Sequence, residues 1–90
     1  MTDGRDARAY GALLAIINSL VDRSEAIVVD AVPTEKGVTF HIHVAAEDVG
    51  KLIGRQGRNA RAIRDVIGAI GAKAKRTYTV DIVQSPVDGA

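Results

Sequence analysis

Leu52-Ile53-Gly54-Arg55-Gln56-Gly57-Arg58 separates two stretches with helical spacing, and its reading decides both the fold and the function of this chain. Two glycines bracket two polar residues, and Lys51 and Arg58 stand on either side. Glycine lets the backbone turn sharply and lets another backbone approach without a Cβ in the way. A phosphodiester therefore fits directly against this loop, which makes nucleic acid the first partner to consider.

Charge around the loop points the same way. From Lys51 to Arg76 there are eight basic residues (Lys51, Arg55, Arg58, Arg61, Arg64, Lys73, Lys75, Arg76) against one acid, Asp65, so the segment carries +7. The rest of the chain, with four basic and ten acidic residues, carries −6, and the net of +1 hides this separation. Such a molecule attracts a polyanion to one surface while staying near neutral overall.

Outward from the loop, Ala46 to Ile53 reads as a short helix with Glu47 and Asp48 in its first turn, where acids complement the helix dipole, and Gly54 ends it. Arg58 to about Ala72 restarts helical spacing, with Ala60, Ile63, Ile67 and Ile70 as the apolar stripe and Gly71 as a stop signal. Further upstream, Val38-Thr39-Phe40-His41-Ile42-His43-Val44 alternates strictly, as a strand with one buried face does. Ala26 to Val32, rich in β-branched residues and closed by Pro33, reads as a second strand, joined to the first by a turn at Thr34-Glu35-Lys36-Gly37. Lys75 to Val83 alternates as a third. The chain opens with an amphipathic helix from Arg5 to about Val21, carrying Tyr10, Leu13, Leu14, Ile17, Leu20 and Val21 on one face and capped by Asp3 or Thr2.

The expected order is α-β-β-α-α-β in an α+β fold. The first two strands are antiparallel and the second and third, joined by a two-helix crossover, parallel, in a three-stranded mixed sheet with helices packed on one face. Ninety residues make one domain, 1–90, with an ordered core at about 5–83 and a flexible C-terminal tail at 84–90.

Composition narrows the function. Without cysteine there is no disulfide, thiolate metal site or cysteine nucleophile. With no Trp, one Phe and two Tyr, stacking on aromatic platforms is not the main binding mode. His41 and His43 sit two apart on a strand, as exposed-face residues rather than metal ligands, and no metal or other cofactor is expected. No Walker-type loop, no Gly-x-Gly-x-x-Gly after a strand and no paired carboxylates for acid–base work are present. No apolar run approaches the roughly 18 to 20 residues of a membrane span, and a cytoplasmic location is the expectation.

Leu52-Ile53-Gly54-Arg55-Gln56-Gly57-Arg58-Asn59-Ala60-Arg61-Ala62-Ile63, set between two helices in this element order, resembles the signature of a type II, or prokaryotic, KH domain. Val49-Gly50-Lys51 before it and Arg64 after it sharpen the likeness to the small bacterial single-KH RNA-binding proteins of the KhpA family, over the chain from the first helix to about Val83. The resemblance implies a non-catalytic protein in which the loop clamps about four unpaired nucleotides and a neighbouring apolar groove takes their bases. Carried onto this sequence, it makes Lys51, Leu52, Ile53, Gly54, Arg55, Gln56, Gly57, Arg58 and Arg61 the RNA-binding residues. Gly54 and Gly57 allow close approach, Arg55 and Gln56 offer donors, and the amides of Gln56, Gly57 and Arg58 face the phosphate as free N–H groups. One of Leu52 and Ile53 lines the groove and the other anchors the helix, while Lys51, Arg58 and Arg61 supply counter-charge at the rim. Ala60 replaces a commoner large aliphatic residue, which implies a shallower groove and weaker base selection.

The same resemblance implies a homodimer, or a complex with a larger KhpB or Jag-like KH protein, and a role as an RNA chaperone or post-transcriptional regulator tied to cell elongation and division. The alternative is a protein-interaction adaptor of KH fold that dimerises without needing RNA.

Overall fold

A computed structural model describes residues 3–84. The tail expected at 84–90 therefore lies outside the described residues beyond Gln84, as does Thr2, the second candidate cap.

The first helix, α1, spans Gly4–Leu20. Asp3 begins it: its backbone is extended and its carboxylate accepts the Arg5 amide N–H at 2.8 Å, satisfying one of the donors that a helix start leaves unpaired. Ala9, Leu13, Ile17 and Val21 follow at steps of four and are all buried. Tyr10, expected on that face, instead stands 36% exposed at its edge, with its ring centroid 6.4 Å from that of Phe40.

Strands β1 (Val28–Pro33) and β2 (Gly37–His43) form an antiparallel hairpin, and β3 (Thr77–Ile82) runs parallel to β2 in the sheet order β1-β2-β3. The hairpin turn closes where the Thr34 N–H donates to the Gly37 carbonyl at 2.9 Å and the Gly37 N–H to Thr34 Oγ1 at 3.0 Å. Val38, Phe40 and Ile42 of β2 and Tyr78, Val80 and Ile82 of β3 are buried, as their alternation foretells, while Thr39, His41 and His43 take the opposite face. β1 departs from expectation. Ser24–Ala26 forms one 3-10 turn, the strand begins at Val28 and includes Pro33, and only Val29 is even half-buried. Pro33 is tolerated because β1 is an edge strand, paired on one side only.

Two further helices complete the chain: α2 (Val49–Ile53), preceded by a 3-10 turn at Ala46–Asp48, and α3 (Arg58–Ala74). Leu52 of α2 and Ala60, Ile63 and Ile67 of α3 join the α1 residues and the inner faces of β2 and β3 in one core. Gly71 does not stop α3 as expected. The helix runs one turn further, with Gly71 buried where it passes the start of β3, and a Cβ there would come within 2.6 Å of the Arg76 carbonyl oxygen. Lys75 takes the left-handed turn instead (φ 59°, ψ 41°), and the Arg76 N–H closes it onto the Gly71 carbonyl at 2.8 Å. Arg76 and Tyr78 then both reach Asp6 of α1, at 2.7 Å from Arg76 Nη2 and 2.7 Å from the Tyr78 hydroxyl.

Candidate nucleic-acid interface

Between α2 and α3 the chain makes a single tight turn. The Gly54 N–H donates to the Gly50 carbonyl at 2.8 Å and the Gly57 N–H to the Gly54 carbonyl at 3.1 Å. Three of the four loop positions have positive φ: Gly54 at 80°, Gln56 at 55° and Gly57 at 76°. Gly54 answers a second demand as well, since a Cβ there would lie 2.7 Å from Asn59 Cγ and 2.8 Å from the Asn59 nitrogen. Asn59 explains this closeness: its Nδ2 donates to the Lys51 carbonyl at 2.9 Å, fastening the first turn of α3 to the last turn of α2 across the loop. Sequence reasoning missed Asn59, because an amide side chain in a first helical turn has many equivalent local partners and only the folded loop selects one.

Leu52 and Ile53 take different places. Leu52 is fully buried in the core, and Ile53, half-buried, lines a cleft of about 360 Å³ beside the loop. The apolar lining of that cleft is Ile53, Ala60 and Ile82, and the polar lining is Arg61, Arg64, Asp65 and Gln84, with Gly57 at the loop end. Arg61 in its wall is exposed, as are Arg55, Gln56 and Arg58 in the loop and at the start of α3. Arg64 is tethered, its Nε donating to the Val80 carbonyl at 3.3 Å. A larger cleft of about 520 Å³ lies between α1 and β1, lined by Tyr10, Ala31, Pro33 and Phe40, but its charged end is the satisfied Asp6–Arg76 pair and none of its lining residues belongs to the loop.

Two expectations about the loop need correction. Of the three amides taken as free, Gly57 donates to Gly54 and Arg58 to Arg55, because the turn winds as a 3-10 helix whose bonds consume them. Within the loop it is the Arg55 and Gln56 amides that find no backbone acceptor. Asp48, read as a dipole-complementing residue, is instead wholly buried and makes no helix cap. Its Oδ2 accepts the Arg23 amide N–H at 2.9 Å, which with the Asp22 amide and the Lys51 ammonium holds its carboxyl below the usual range despite desolvation.

Lys51 is drawn into the same group. Its ammonium bonds Asp22 and lies 3.5 Å from Asp48 Oδ1, and the Asp22 contact above all raises its pKa. Arg76 is likewise occupied by Asp6. Arg55, Arg58, Arg61, Arg64, Lys73 and Lys75 form no ion pair among the described residues. Every described acid except Glu35 and Asp65 is engaged by a basic side chain, including Asp81 by His41 at 2.9 Å and Asp30 by His43 at 3.3 Å. Among the described residues no three His, Asp or Glu side chains gather as a metal site, and no helix is long and apolar enough to cross a membrane.

A tight cationic turn with an apolar cleft at its side is an arrangement that can hold a phosphate backbone and shelter the attached bases. Comparison with known proteins agrees on the ancestry of these residues. The chain is 36% identical over 72 residues to the RNA-binding protein KhpA of Listeria monocytogenes, covering 80% of this chain and 95% of the relative. It is 41% identical over 68 residues to that of Borreliella burgdorferi (76% and 83%) and 42% over 71 residues to that of Clostridium acetobutylicum (79% and 95%). No solved structure matches significantly. The family described as KhpA/KhpB, KH domain, matches residues 11–82, from within α1 to the end of β3, and the chain belongs to that family.

Proposed function

We propose that this chain is a non-catalytic single-stranded RNA-binding protein whose Gly54-Arg55-Gln56-Gly57 loop clamps about four unpaired nucleotides. The observation that carries the reading is the adjacency of unpaired charge and apolar cleft: Arg55, Arg58 and Arg61 ring a loop whose neighbour Ile53 lines the cleft. The phosphates follow the loop, where the Arg55 and Gln56 amides and side chains donate, and the bases lie over Ile53, Ala60 and Ile82. Arg58 and Arg61 supply counter-charge. Lys51, held by Asp22 and Asp48, acts chiefly by fixing α2, and it reaches phosphate only by leaving them. Relatives carrying the name RNA-binding protein support the same reading.

One such module touches few nucleotides, so useful affinity comes from pairing modules, as a homodimer or with a KhpB or Jag-like protein. In the cytoplasm this suits an RNA chaperone or post-transcriptional regulator, with cell elongation and division as the process served.

The double substitution Arg55→Asp with Gln56→Asp tests the clamp. Asp tolerates the left-handed conformation at position 56, so the fold is kept while two negative charges face the phosphate. If the three arginines Arg55, Arg58 and Arg61 neutralise phosphates, the logarithm of the wild-type association constant falls against the logarithm of salt with a slope of about −2, and the double variant binds at least about tenfold more weakly with a shallower slope. Unchanged RNA retention with an unchanged slope would overturn the reading and leave protein interaction as the loop's role.

A further inference from the structure

We propose that Asp65 is a base-reading residue of the cleft and that it favours single strands placing a guanine there; this rests on the clamp reading above. Asp65 is the one acid in the +7 segment and it lines the cleft together with Arg61 and Arg64. It is exposed and makes no ion pair or side-chain hydrogen bond among the described residues, not even with Arg61 one turn earlier. Nearly every other acid is engaged, so an idle carboxylate in a cleft built for a polyanion is the exception that calls for a partner.

That partner is not a phosphate, which a carboxylate repels. A carboxylate accepts hydrogen bonds through two oxygens, and on a nucleic acid the N–H donors lie on the bases. Shape gives the cleft little power to choose, because Ala60 leaves its apolar lining small and any flat ring face fits against Ile53 and Ile82. Discrimination then falls to the polar lining. Gln84 both donates and accepts, so by itself it excludes no base edge. Asp65 only accepts. Guanine presents two neighbouring donors, N1–H and N2–H, that match both carboxylate oxygens. Adenine and cytosine present one amino group beside an acceptor nitrogen, and uracil one imino N–H flanked by two carbonyls that the carboxylate repels. A site built to accept two hydrogen bonds rejects ligands that cannot supply them.

Three fluorescent heptamers, UUUGUUU, UUUAUUU and UUUUUUU, titrated by anisotropy at low salt against the wild type, Asp65→Asn and the Arg55→Asp/Gln56→Asp variant, test this. The wild type is expected to prefer the guanine heptamer over the all-uridine one by about tenfold, the usual worth of a good bidentate contact. Asp65→Asn, an exposed and nearly isosteric change whose folding is checked by circular dichroism, is expected to bring that ratio to within about twofold without weakening all-uridine binding. A wild type that treats the heptamers alike, or an Asp65→Asn protein that keeps the preference, overturns the inference. In the first case, loss of all binding in the loop variant leaves the clamp standing, whereas a loop variant that binds like wild type overturns both.

Discussion

Gly54 and Gly57 share a sign of φ but answer different demands. Gly54 needs both a positive φ and the space that Asn59 fills, whereas nothing stands within 4 Å of a Cβ on Gly57, which sits in the left-handed region that Asn also visits. Gly54→Ala is therefore expected to destabilise by about 2 kcal/mol or more, through strain and a clash with the backbone of Asn59, while Gly57→Asn stays within about 0.5 kcal/mol of wild type. Urea denaturation midpoints measure both, and equal losses would show that the two glycines serve only the turn. The pair of glycines was plain in the sequence. Which one the fold cannot replace was not, because the answer depends on an amide side chain whose partner, the Lys51 carbonyl, lies eight residues back. Leu52 and Ile53 teach the same lesson: the sequence shows that one faces inward and one outward, and only the angle at which α2 meets the core decides which.

At the scale of elements, periodicity served α1, β2, α3 and β3 well, since each has one face against the core and the alternation records it. It failed where an element is nearly uncovered, as in β1, or where one residue type has two uses. Gly71 is such a case: glycine marks helix ends, but it also admits close packing, and here the approach of β3 explains it. The helix end falls on Lys75, a residue with a Cβ held at φ 59°. Relief of that strain exceeds the extra freedom glycine gives the unfolded chain, so Lys75→Gly is expected to stabilise the protein by about 0.5 kcal/mol. Calorimetric melting reads this directly, and a lowered melting temperature would mean that Lys75 holds α3 by its side chain.

For the whole molecule, Asp6 is a tie between the two ends of the described chain. The Arg76 hydrogen bonds first, then that from Tyr78, hold its carboxyl below the ordinary 3.8 despite desolvation. A carboxylate with a depressed folded pKa contributes stability that is complete above its unfolded value and lost as pH falls through the folded one. Stability is accordingly expected to be flat near neutral pH and to decline below about pH 4, and Asp6→Asn, which costs stability at neutral pH, is expected to make that decline less steep. Melting temperatures from pH 2 to 7 compare the two proteins; an identical acid limb would place the sensitivity elsewhere, with Asp48 the next group to replace.

The pairing of nearly all acids by neighbouring bases also shapes how a ligand arrives. What the surroundings feel is not a sphere of charge +1 but an electric dipole whose positive pole is the loop and the exposed side of α3. A dipole in the field of a polyanion experiences a torque, so the molecule turns its loop toward a strand before any atom touches. In physiological salt that torque acts only within about 8 Å of the surface. A distant polyanion would therefore exert almost no pull, and one close to the surface would turn the loop toward itself in the last steps of approach.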